Sequence, residues 1–176
     1  ARFRPPPAAL RRFARGAHPF LLGNSYALFS VMTGTRPELV IEGSDDGVTW
    51  RTYDFRFKIQ DPSRPPPWAG LHMPRLDWQL WFSALESPRQ WFLDFSQRLL
   101  EGSPEVRGLL RHDPFPDAPP RYLRVTRFRY RMTDAKERAA IGHWWTREWL
   151  GPYLPPVEAG PLGLRRAVGV PLYRPA

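Results

Sequence analysis

The chain has 176 residues, 42% of them hydrophobic and 24% charged, a balance that suits one globular domain and excludes a disordered chain. It contains no cysteine, which excludes disulfide scaffolds, thiol catalysis and cysteine zinc sites. The formal net charge is +9, yet Lys58 and Lys136 are the only lysines, the arginines are scattered, and no basic run exceeds two residues (Arg11-Arg12, Arg165-Arg166), so no nucleic-acid partner is expected.

No apolar run approaches the roughly 20 residues needed to span a bilayer. The first residue is Ala1 rather than Met, which fits a processed chain or a piece of a longer one.

Residues 1–23, ARFRPPPAALRRFARGAHPFLLG, begin with prolines that block a helix until about Ala8. Leu10 and Phe13 can then face away from Arg11, Arg12 and Arg15. The piece is short for an independent helix and reads as a linker or membrane-proximal segment. NSYALFSVMT (24–33) predicts a strand, TGTRP a turn, and ELVIEG a second strand. SDDG carries the Asp-Gly pair of tight hairpin turns. A third strand is predicted over VTWRTYDFRFKIQ (48–60), with Tyr53, Phe55, Phe57 and Ile59 inward and Asp54, Arg56 and Lys58 outward. The parity breaks after Trp50, which predicts a bulge near Arg51-Thr52.

DPSRPPPWAGLHMPR (61–75) reads as an extended crossing. LDWQLWFSAL (76–85) is apolar nearly all round and predicts a buried helix. A second helix is predicted over 87–102, with Ser87 as N-cap, Pro88 at the first position, Gly102 as the stop, and a stripe of Trp91, Phe92, Phe95, Leu99 and Leu100. Ser103-Pro104 starts a third, short helix. RYLRVTRFRYRM (121–132) alternates as a strand, and either of its faces can be the buried one. AKERAAIGHWWTREWLGPYLPP predicts a helix through about Trp149, stopped by Gly151-Pro152, and residues 157–176 predict an extended tail. Segregated runs of this kind predict an α+β fold, with an antiparallel sheet of about four or five strands and one face covered by helices from 76–111 and 136–150.

Chemistry-bearing residues are sparse. His18, His72, His112 and His143 fall in separate segments without a zinc-ligand spacing, and neither a nucleophile elbow nor a phosphate loop is present. Glu42, Asp45 and Asp46 cluster at the hairpin turn. Three acids could ligate calcium, but an Asp at a turn more simply bonds its own backbone. Arg75 and Asp77 are charges set among apolar residues and predict a structural ion pair. No cofactor, no metal and no catalytic residue is expected.

Eight tryptophans are more than one core stripe needs. On a helix Trp144 and Trp145 would lie about 100° apart, which turns one of them toward a partner surface. The candidate partner contacts are Trp68, Arg75, Trp78, Trp144, Trp145 and Arg147.

RPELVIEGSDDGVTW, YDFRFK, RPPPWAGLHMPRLDWQLWFSAL, WFLDFSQRLLEGSPEV, PFPDAPPRYLR and WWTREWLGPYLPP, in this order, resemble the soluble C-terminal region of the lipase maturation factor family. The resemblance covers about Asn24 to Pro156 and is most specific in HMPRLDWQLWF and RLLEGSPEV. EGSDDGVTW alone is less specific, because discoidin-like sugar-binding sandwiches use a similar strand-turn-strand. Met73 stands where family members of this type are expected to carry glutamine.

The resemblance implies a missing N-terminal multi-spanning membrane region. In animals it implies an endoplasmic-reticulum factor that brings secreted dimeric lipases to a folded, active state, with the matched region among the lipase-contacting parts. The Arg- and Pro-rich composition suits a high-GC bacterium. The resulting expectation is a linker at 1–23, a domain over 24–156 and a tail over 157–176. That domain is a non-catalytic, membrane-associated folding or assembly factor, a chaperone in the broad sense, whose partner is a client protein such as a lipase. The alternative is a sandwich-type module binding sugar through the Asp45-Asp46 turn. An enzyme would need His72 or His143 within about 3 Å of Asp77 or Glu148.

Overall fold

The computed structural model describes Pro7, residues 35–68 and residues 73–173, and the chain divides into two units, Ala1–Gly34 and Thr35–Ala176. All elements below belong to the second unit. The segment read as a linker over 1–23 and the strand read over 24–33 lie outside the described residues, apart from Pro7.

Among the described residues a five-stranded antiparallel sheet and a two-stranded sheet combine with four helices, an α+β arrangement. The larger sheet runs in the order β2-β1-β5-β6-β7. Its strands are β1 (Arg36–Ser44), β2 (Arg51–Thr52), β5 (Tyr122–Met132), β6 (Trp145–Gly160) and β7 (Gly163–Arg166). The smaller sheet pairs β3 (Asp54–Phe55) with β4 (Leu110–His112). The helices are α1 (Arg75–Ser83), α2 (Gln90–Leu100), α3 (Pro104–Arg107) and α4 (Ala135–Ile141).

The register explains the two cores. Ile41 pairs with Val125 and Leu39 with Arg127, so the odd residues of both strands share one face. There Leu39, Ile41, Leu123 and Val125 meet Leu80 and Ala84 at α1 and Phe92, Phe95 and Leu99 of α2. The even face carries a smaller cluster of Val40, Ile59, Phe128, Tyr130 and Trp145. Both faces of β5 are therefore covered, which is why its sequence can be read with either face inward.

The long third strand is corrected. At Tyr53, whose N–H still donates to Ile41 O at 3.0 Å, the chain leaves the main sheet, and Asp54–Phe55 pairs with β4 instead. The parity change foreseen at Arg51-Thr52 marks this switch of sheets rather than a bulge in one strand. Beyond it Gln60 folds back, its Oε1 accepting from Phe55 N–H at 2.8 Å and its amide donating to Tyr53 O, so one carboxamide does the work of a ladder partner.

The departure also leaves the edge of β1 open at Leu39, whose carbonyl points the same way as that of Ile41 two residues on. Lys58 fills the gap. Its ammonium donates to Leu39 O and lies 3.1 Å from Glu38, with both side chains 1% exposed. Expected on the outer face, Lys58 is a core residue.

The helix over 136–150 is corrected as well. Asp134 accepts from Glu137 N–H at 2.8 Å and Glu137 from Asp134 N–H at 3.0 Å, a capping box that starts α4. Gly142, at φ 70°, ends it after seven residues, and the chain continues as β6. α4 buries nothing, so the helical cover of the sheet comes from α1 and α2. β6 is a strand despite Pro152, Pro155 and Pro156 because β7 pairs only with Val157–Gly160. Pro152 and Pro155 precede the stretch paired with β7 and lie where the register to β5 shifts, and Pro156, which has no N–H to donate, takes part through its carbonyl, which accepts from Ala167 N–H at 2.9 Å. Much of the expected tail is thus sheet, with β6 running to Gly160 and β7 completing a hairpin.

The second helix ends at Gly102, φ 70°, as read from sequence, while its first capping position falls to Arg89 rather than Ser87. The third starts at Ser103-Pro104 and closes after one turn. α1 is not buried all round. Leu80 is sealed in the core and Trp78 is 41% exposed.

Candidate functional site

α1 starts without a side-chain cap, and its first turn carries Asp77. This carboxylate is buried, and its Oδ1 accepts from Phe57 N–H at 2.7 Å. The segment after the switch at Tyr53 is thereby tied to the helix. Burial lowers the pKa of the Lys58 ammonium, with Glu38 and, less strongly, Asp77 opposing that shift. Arg75 is exposed and Asp77 buried, as their spacing of two on a helix requires. The ion pair expected between them is replaced by the backbone bond to Phe57. The second carboxylate oxygen, Oδ2, is buried with no hydrogen-bond partner among the described residues.

Two cavities open beside this turn. One, of about 320 Å³, is lined by Leu76, Asp77, Trp91, Phe95 and Leu109 together with the exposed Arg56 and Arg75. The other, of about 250 Å³, is lined by Trp78, Phe82, Glu86 and Arg89. Gln79 and Trp91 line both, so they form one groove between α1 and α2. Trp78 and Phe82 pack edge to face at 4.5 Å along its wall.

The six residues singled out in the sequence separate into groups. Arg75 and Trp78 belong to this groove. Trp68, 90% exposed, precedes the undescribed residues 69–72. Trp144 and Trp145 lie on the sheet side, and both of their N–H groups donate to Pro62 O, at 2.9 and 3.1 Å. The Trp145 indole is buried and donates to Arg64 O at 3.1 Å, so it clasps the 61–68 crossing. Trp144 is half-buried under Arg138, whose guanidinium lies 3.9 Å from its ring. Arg147 stacks on Phe128 at 4.8 Å and lines a separate cavity with Asp54, Asp61 and Arg64, where Arg64 pairs with both acids.

Sequence reasoning placed Trp91 and Phe95 in a core stripe and missed their groove-facing part. Their spacing of four in the amphipathic helix Gln90–Leu100, which puts both on one face, was the available signal. Asp77 was seen as a charge among apolar residues but given the wrong partner.

The hairpin turn is engaged with itself. Asp46 accepts from Val48 N–H at 2.8 Å, Thr49 N–H at 2.7 Å and Ser44 Oγ at 2.9 Å. These bonds hold its carboxyl far below the usual range. Asp45 pairs with Arg51 at 2.7 Å and Glu42 with Arg124 at 2.8 Å. Arg124 is in turn held between Trp50 and Tyr173. Among the described residues no group of three or more His, Asp or Glu is placed to hold a metal ion, and no helix is long and apolar enough to cross a membrane. Glu148 pairs with Arg129 at 3.0 Å.

Comparison with known proteins identifies the family. Residues 22–155 match the family model described as the lipase maturation factor C-terminal domain. Lipase maturation factor 2 of Rattus norvegicus is 42% identical over 147 residues, 79% of this chain and 20% of that protein. Lipase maturation factor 2 of Gallus gallus is 41% identical over 150 residues, 80% of this chain and 21% of that protein. Lipase maturation factor 1 of Homo sapiens is 35% identical over 145 residues, covering 77% and 26% respectively. The chain therefore spans about a fifth to a quarter of the length of these relatives. No solved structure matches it. The chain belongs to the lipase maturation factor family.

Proposed function

We propose that this domain is a non-catalytic holding module in lipase maturation, which binds a client lipase that is not yet folded or assembled. The groove between α1 and α2 is its contact surface. The observation that carries this reading is the exposed indole of Trp78 beside the arginine-flanked apolar cavity at Arg75. Surfaces of that make-up, an aromatic anchor beside a desolvated pocket with cations around it, are where binding energy concentrates. The names of the relatives supply the client class. Two acids at the groove are engaged in structure, Glu86 with Arg89 and Asp77, through one of its oxygens, with Phe57, which favours holding over bond-making.

Tethering to a membrane through an N-terminal spanning region is part of the same proposal, in line with the share of the relatives' length that lies outside this chain. Co-purification tests it. A secreted lipase should be retained by the wild-type domain and lost from an Arg75→Ala, Trp78→Ala double variant. Equal retention by both excludes the groove as the client surface.

A further inference from the structure

We propose that the cavity at the start of α1 receives one apolar residue of an extended peptide and grips it through a main-chain N–H donated to Asp77. Three observations define the occupant. The walls formed by Leu76, Trp91, Phe95 and Leu109 are apolar, and about 320 Å³ holds a large aliphatic or aromatic side chain.

Asp77 belongs to the same lining, is 1% exposed, and has one oxygen satisfied by Phe57 and the other without a partner among the described residues. A buried acceptor without a donor is costly, and a ligand that supplies one removes the cost. The buried Lys58 is committed elsewhere, to Glu38 and to the carbonyls of Leu39 and Ile59.

The remaining charged lining residues are Arg56 and Arg75. Both disfavour a cationic side chain seeking Asp77; Arg56 already donates to Gly108 O at 2.9 Å, and Arg75 suits a carbonyl oxygen that flanks an amide N–H in a peptide. An apolar side chain with a donor on one side and acceptors on the other is what an unfolded segment presents and a folded surface does not. The inference deepens the client-holding reading and rests on it only for the source of the peptide.

N-acetyl-phenylalaninamide, which carries the ring and the amide donors, tests the cavity without any lipase. Titrated into the full 176-residue chain, it should shift the backbone amide resonances of Leu76, Asp77 and Gln79 saturably. Ethylbenzene, with the ring and no donor, should bind more weakly by about tenfold, the worth of one hydrogen bond to a charged group. Asp77→Asn keeps an acceptor for Phe57 and should erase that preference. Leu109→Trp fills the cavity from an exposed position and should abolish binding of both probes with the fold intact.

The proposal is overturned if no saturable shift occurs, if ethylbenzene binds as well as the amide, or if the folded Leu109→Trp variant binds like wild type. A lipase that fails to co-purify while the amide still binds removes the client reading and leaves the cavity assignment standing.

Discussion

Lys58 and Glu38 meet at 3.1 Å inside the protein, where the open edge of β1 would otherwise leave Leu39 O without a donor. One side chain thus neutralises a buried acid and completes a strand edge. Glu38 is further held by the Arg36 Nε at 2.9 Å, which connects the pair to the surface. Removing the ammonium strands both the acid and the carbonyl. Lys58→Met should cost about 3–5 kcal/mol in urea denaturation, the usual penalty for breaking a buried pair. Adding Glu38→Leu should recover part of that loss, because the uncompensated charge goes with it. A single variant that unfolds at the wild-type midpoint contradicts this account of the edge.

Gly43 tests the packing opposite the hairpin turn. A Cβ there would lie 2.6 Å from Phe115 Cε2 and 2.8 Å from Pro120 Cγ, and Phe115 is buried beside Tyr53. Gly43→Ala should destabilise by about 1–3 kcal/mol through overpacking, read as a lower thermal midpoint. No change would mean that the Phe115 loop gives way freely.

Acid should loosen α4 before the sheet. Arg131 and the Asp134 N–H hold the Glu137 carboxyl down to about 2 from 4.5. A carboxyl lowered on folding contributes stability that is fully present above its unfolded value and fades as pH falls toward its folded one. The protection of the Glu137 and Arg138 amides, relative to their unstructured exchange rate at the same pH, should therefore fall between about pH 4.5 and 2. Glu137→Gln should show the lowered protection already at pH 7. Identical pH profiles for the two proteins would show that the capping box does not hold the helix.

How much of this was legible in the sequence follows from range. β1, β5 and α2 are set by local patterns, and their alternation, apolar stripe and terminal Gly102 could be read directly. The α+β class followed from the segregation of those runs. The run from Tyr53 to Gln60 could not be read, because the partners that make Lys58 and Gln60 buried, Glu38, Leu39 and Tyr53, are brought to them only by the turn of the chain. The second misreading had a local remedy. Gly142 is a helix stop with φ 70°, and giving it that weight would have ended α4 before the tryptophans. Residues 145–160 would then have been free to read as a strand, with Pro152 and Pro155 ahead of the part paired with β7. Of the candidate contacts, Arg75 and Trp78 line the proposed groove while the Trp145 indole is buried against Arg64 O, and the acceptor left open on Asp77 is apparent only once Phe57 has taken its other oxygen.

The central claim is that the face between α1 and α2 meets the client. A photo-crosslinking side chain placed at position 78, and separately at Val48, 79% exposed on the distant hairpin turn, reads this directly with a purified lipase diluted from denaturant. The account predicts a covalent adduct from position 78 that folded lipase does not give, and none from position 48. Equal labelling from both positions, or labelling from 48 alone, contradicts it.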